Sequence, residues 1–129
     1  MTAPDAFEYA VLRVIPRVDR GEAMNAGIVL YCRPRRYLGA RLDLDEALLL
    51  ALDPEADVPG VRRALAAMAD VCAGDGGGPA PAQDIGRRFR WLTAPRSTVV
   101  QAGPVHTGLT RDPAAEIDSL LRSLVLRPR

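Results

Sequence analysis

The chain has 129 residues, 17 of them basic and 16 acidic, for a formal net charge of +1; 48% of its residues are hydrophobic and 26% charged. That length fits one domain, residues 1 to 129, and the apolar fraction excludes a disordered chain. Near-neutrality excludes a surface built to coat nucleic acid, so any cationic site must be local. Every basic residue is arginine, which leaves no amine for Schiff-base chemistry and no lysine to hold a phosphate.

Glu8 to Pro16 reads as a first strand, with Tyr9, Val11 and Ile15 on one face and Ala10, Leu12 and Val14 on the other. Apolar residues on both faces predict a central strand covered from both sides. After a turn at Arg17–Glu22, Gly27 to Cys32 repeats that two-sided pattern, and the short connection predicts antiparallel pairing. A second turn at Pro34-Arg35 precedes Tyr37 to Leu42, a half-exposed third strand with Leu38, Ala40 and Leu42 facing inward.

Asp43 is the expected cap of a short helix, with Glu46 three residues on and Leu48, Leu49 and Leu52 as its apolar stripe. A second helix follows Pro59, where Val61, Leu65, Met68 and Cys72 recur at helical spacing and Met68 is core. Residues 73 to 82, rich in glycine and proline, predict a flexible surface loop. They form no phosphate loop, since no Gly-Lys-Ser/Thr follows and no strand leads in. Ile85, Phe89 and Leu92 form a third helical stripe that Pro95 ends. Ser97 to Ala102 is expected to return to the sheet, and Gly103 to Arg111 reads as loop. Asp112-Pro113 opens a last helix with Ile117, Leu120, Leu121 and Leu124 inward. The order β-β-β-α-α-α-β-α predicts an α+β fold, a mainly antiparallel sheet of about four strands with helices packed on it.

Cys32 and Cys72 each lie in apolar surroundings and are expected as buried free thiols. One histidine and two separated cysteines make no zinc motif, and no metal or cofactor is expected. Met1 to Ala6 lacks the features of a signal peptide and no apolar run has membrane-spanning length, so the expected location is the cytoplasm, with no membrane partner.

The densest chemistry lies between Asp84 and Asp112, where Arg87, Arg88, Arg90, Arg96 and Arg111 have no intervening carboxylate. The same stretch holds the only tryptophan, Trp91, and the only histidine, His106. Arg96, just beyond Pro95, sits at an element junction where a guanidinium can clamp a phosphate or carboxylate with two parallel hydrogen bonds. Ser97, His106, Asn25 and Arg90 complete the candidate anion site. Each also has a structural reading: a solvated helix face for Arg90, a backbone-bonded loop residue for His106, and turn chemistry for Asn25-Ala26-Gly27. Trp91 is read as a helix-to-sheet packing residue. No serine triad can be assembled from sequence, because no carboxylate lies near Ser97 or His106 and no Gly-x-Ser-x-Gly surrounds the serine.

Residues 9 to 18 (Tyr-Ala-Val-Leu-Arg-Val-Ile-Pro-Arg-Val), 20 to 22 (Arg-Gly-Glu) and 25 to 32 (Asn-Ala-Gly-Ile-Val-Leu-Tyr-Cys) carry a family resemblance. So do residues 88 to 101 (Arg-Phe-Arg-Trp-Leu-Thr-Ala-Pro-Arg-Ser-Thr-Val-Val-Gln) and 104 to 108 (Pro-Val-His-Thr-Gly). Together they resemble the bacterial family known as domain of unknown function 3037, from about Tyr9 to Leu124. The resemblance implies a small bacterial cytoplasmic protein, supplies no activity and no catalytic residues, and implies a HipA-like kinase as partner. Two readings follow: a non-enzymatic accessory or interaction domain, or a phosphate- or nucleotide-binding protein, or enzyme, using an Arg/Ser/His cluster.

Overall fold

A computed structural model describes residues 3–74 and 85–127. Most of the predicted glycine- and proline-rich loop, from residue 75 on, lies outside the described residues. The fold is α+β, and its antiparallel sheet has five strands, not four. These are β1 (Asp5–Val14), β2 (Met24–Cys32), β3 (Tyr37–Leu42), β4 (Val100–Ala102) and β5 (His106–Thr110). The helices are α1 (Glu46–Leu52), α2 (Val58–Ala73), α3 (Ile85–Thr93) and α4 (Pro113–Leu124). β1 is central. It pairs with β2 along one edge, while its other edge is shared by β4, opposite Leu12–Val14, and β5, opposite Asp5–Tyr9.

The two-sided patterns of β1 and β2 bury both faces of the sheet. Ala10, Leu12 and Val14 point to one side, where Leu49 of α1, Val61, Leu65, Met68 and Cys72 of α2, and Phe89 and Leu92 of α3 complete a core. Phe7, Val11, Ile28, Leu30 and Cys32 point to the other, where Ile117 of α4 and Val125 cover them. Both cysteines are buried free thiols, one in each core. Burial pushes the Cys72 thiol up to about 11, with Arg88 and Arg41 pulling the other way.

The strand β2 changes face midway. Leu12 pairs with Gly27 but Arg13 pairs with Asn25, so Ala26 is an extra residue, a β-bulge. Ala26 and Val29 can therefore enter the same core despite odd spacing. Gly27 is required there, since a Cβ would lie 2.8 Å from the Arg41 carbonyl oxygen and 2.8 Å from Leu42 Cδ2.

Four local expectations are corrected. The segment after Gly103 contains β5 rather than loop alone. Asp45, not Asp43, caps α1, its carboxylate accepting from the Leu48 amide at 3.0 Å; the Asp43 amide instead donates to the bulged Ala26 carbonyl at 2.8 Å. Leu124 is 38% exposed because it falls in the last turn of α4, beyond the inward residues Ile117, Leu120 and Leu121. Trp91 is 46% exposed, on the outer side of α3, whose inner side is held by Phe89 and Leu92.

Candidate functional site

Two arginine pairs face one concavity on the α3 side of the sheet. The first comes from the β2–β3 connection, a 3-10 turn at Arg33–Arg35 closed by Arg36 in the left-handed region (φ 51°, ψ 45°), whose amide donates to the Arg33 carbonyl. Side chains three apart in such a turn share one side, so Arg33 and Arg36 project together. Arg35 points elsewhere: its Nε is 2.8 Å from Asp5 Oδ2, and its other nitrogens donate to the Arg111 and Ala3 carbonyls, which fixes the turn on β1. The second pair, Arg87 and Arg90, is also three apart, here on one face of α3.

These four guanidiniums, with half-buried Tyr31 and the first residues of α3, Ile85 and Gly86, line a cleft of about 650 Å³. A second groove of about 390 Å³ shares Tyr31, Arg33 and Arg90 and continues along β1 to Thr107 of β5. Among the described residues Glu8 is the only carboxylate lining either concavity, and it is engaged by Arg90: Nη2 lies 3.1 Å from Oε1 and 3.0 Å from Oε2. Arg90 also lies over the Phe89 ring, 5.4 Å from its centroid. Among the described residues Arg33 and Arg36 have no carboxylate partner.

The residues singled out in sequence are not brought to one place. Arg96 turns back on α3: its Nη1 donates to the Leu92 carbonyl at 3.0 Å, its Nη2 to the Trp91 carbonyl, and its guanidinium carbon stands 4.4 Å from the Trp91 ring centroid. Ser97 is exposed beyond it. His106, paired with Tyr9, packs its ring on the Tyr9 ring at 5.3 Å, on the α4 side of the sheet. Asn25 donates from Nδ2 to the Leu124 carbonyl at 2.9 Å, tying β2 to the end of α4. Of the five, Arg90 alone lines the arginine cleft.

Sequence reasoning misses Arg33, Arg36 and Tyr31, reading Pro34-Arg35 only as a turn. The available signal is the repeated spacing of three in Arg33/Arg36 and Arg87/Arg90. Among the described residues no three His, Cys, Asp or Glu side chains gather as metal ligands, and no helix is long and apolar enough to cross a membrane.

The outer edge of β5 is the other conspicuous surface. β5 pairs with β1 alone, and no described strand continues the sheet beyond it. Leu109 on this strand is 66% exposed and Val105 just before it 39%.

These features define an α+β protein with one sheet between two helical layers, an arginine-lined cleft and an unpaired edge strand. The chain belongs to the family described as protein of unknown function (DUF3037), whose model matches residues 9–125. No curated protein and no solved structure matches it.

Proposed function

We propose that the protein is an accessory interaction domain, working by binding rather than catalysis, and that its partner adds an extended segment along the outer edge of β5. The observation that carries this reading is the unpaired edge itself. Folded proteins commonly blunt such edges with charge, proline or a covering element, whereas this one presents Leu109 to solvent. A segment paired there gains main-chain hydrogen bonds and an apolar contact on Leu109. The separation of Arg96 from His106 supports binding over catalysis, because Arg96 is engaged on α3 and His106 against Tyr9 of β1, while Ser97 is exposed. Family resemblance makes a HipA-like kinase the first partner to test, in a bacterial cytoplasm; the free thiols Cys32 and Cys72 suit that reducing compartment.

The test compares wild type with Leu109→Arg, a change at an exposed position that leaves both cores intact. Purified HipA-like kinase from the same organism is expected to bind wild type and protect the amides of residues 106–110 from hydrogen exchange. Leu109→Arg is expected to weaken that complex at least about tenfold, or 1.4 kcal/mol, at unchanged melting temperature. Equal binding by both proteins, or no complex at all, would overturn the reading.

A further inference from the structure

We propose that the cleft between the β2–β3 turn and α3 is a binding site for a small phosphorylated ligand carrying at least two negative charges. It is independent of the β5 edge.

An arginine in left-handed backbone is a strained choice where glycine or asparagine is the usual residue, and Arg36 is the only described non-glycine residue with positive φ. That conformation closes the turn so that Arg36 and Arg33 share a side and meet Arg87 and Arg90 across the cleft. Like charges so placed oppose one another. Glu8 offsets Arg90, whereas the turn pair, Arg33 and Arg36, has no carboxylate partner among the described residues. The surplus positive charge of that pair is local to this concavity in a chain of net charge +1.

The chemistry of the ligand follows from the donors. Guanidinium forks match the oxygen geometry of phosphate, and several can share one phosphoryl chain. The cleft, at about 650 Å³, exceeds what one inorganic phosphate fills and lies within the range of ordinary small-molecule sites, roughly 300 to 1,000 Å³. Tyr31 and Ile85 add an aromatic and an aliphatic surface beside the arginines, so the organic part of a phosphorylated metabolite has a place to rest.

Isothermal titration of the full chain with pyrophosphate, ADP and an unphosphorylated nucleoside, at constant ionic strength, tests the proposal. Pyrophosphate and ADP are expected to bind, and the nucleoside not to. Tighter binding of ADP assigns the organic part to Tyr31 and Ile85; equal binding assigns the site to the phosphoryl chain alone. The double variant Arg33→Gln/Arg36→Gln is expected to raise both dissociation constants at least about tenfold, two charge-assisted contacts being lost. Arg36→Gly separates binding from folding: it relieves the left-handed backbone, so the ligand-free melting temperature holds or rises while affinity falls. No heat with either phosphorylated compound at millimolar concentration, or affinity unaltered in both variants, would overturn the proposal. So would binding lost in Arg96→Lys but kept in the double variant, which moves the site to Arg96. A preference for a short oligonucleotide over ADP, with steep salt dependence, likewise refutes a small-ligand site.

Discussion

The guanidinium of Arg96 lies over the indole of Trp91, 4.4 Å from the ring centroid, while its nitrogens close the C-terminal end of α3 through the Trp91 and Leu92 carbonyls. A helix end leaves carbonyls without intrahelical partners, and Pro95 prevents the chain from supplying the next amide in register. Arg96 therefore reaches back as the cap.

Arg96→Ala is accordingly expected to lower stability by about 1 to 2 kcal/mol, combining a cation–π contact with the capping hydrogen bonds. Arg96→Lys should restore only part, since an ammonium cannot lie flat on the indole and reach two carbonyls together. Urea unfolding followed by fluorescence of Trp91, the only tryptophan, measures both. A change within about 0.5 kcal/mol, the range of ordinary surface substitutions, would make the stack incidental.

Leu12 is 1% exposed in the larger core, so Leu12→Ala should cost about 2 to 5 kcal/mol. Chemical denaturation should show a lower midpoint with an unchanged slope. A loss below about 1 kcal/mol would contradict its placement.

Gly27→Ala places a methyl group 2.8 Å from a backbone carbonyl oxygen that is fixed in the sheet. The expected cost is about 1 to 3 kcal/mol, the range for overpacking a tight site. Faster hydrogen exchange should appear at Arg41 and Leu42, which flank the clash, before it appears in α4.

Asn25→Ala removes the donor to the Leu124 carbonyl. Stability should fall by about 0.5 to 1.5 kcal/mol, with the gain in amide exchange concentrated in residues 121–127. Exchange spread evenly over the sheet would assign Asn25 to the strand turn instead.

The raised Cys72 thiol gives alkaline sensitivity a defined window. Below its ordinary value of 9.0 the thiol is protonated in folded and unfolded chains alike, and its contribution to stability is fully present. As pH rises from 9.0 towards about 11, the unfolded chain ionises first and the contribution is lost. The whole of that loss amounts to at most about 2 to 3 kcal/mol. Tyr37, also raised by burial, acts in the same direction. Cys72→Ala should flatten the alkaline decline seen in urea midpoints, and an unchanged decline would refute the assignment.

The buried parts of the fold were legible because burial imposes periodicity. β3 falls at Tyr37–Leu42 as its alternation predicts, and Asp112 with Pro113 opens α4 through a hydrogen bond from the Ala115 amide. β5 was illegible for the converse reason. His106, Thr107 and Leu109 are exposed, and Gly108 looks like a loop residue. Its true role lies across the strand: Gly108 pairs with Phe7, and a Cβ there would sit 2.7 Å from the Phe7 ring. The arginine cleft joins positions about 50 residues apart, a proximity that propensity and local spacing do not report.

The central place of β1 also shapes how the molecule is made. Its residues 5–14 are made before the rest of the sheet, yet half of their pairing waits for residues 100–110. Until those arrive, one edge of the middle strand stays open, and closing it joins segments nearly a hundred residues apart. Contacts of such long sequence separation slow folding. During synthesis the β1–β2–β3 meander can form before that edge is closed by β4 and β5.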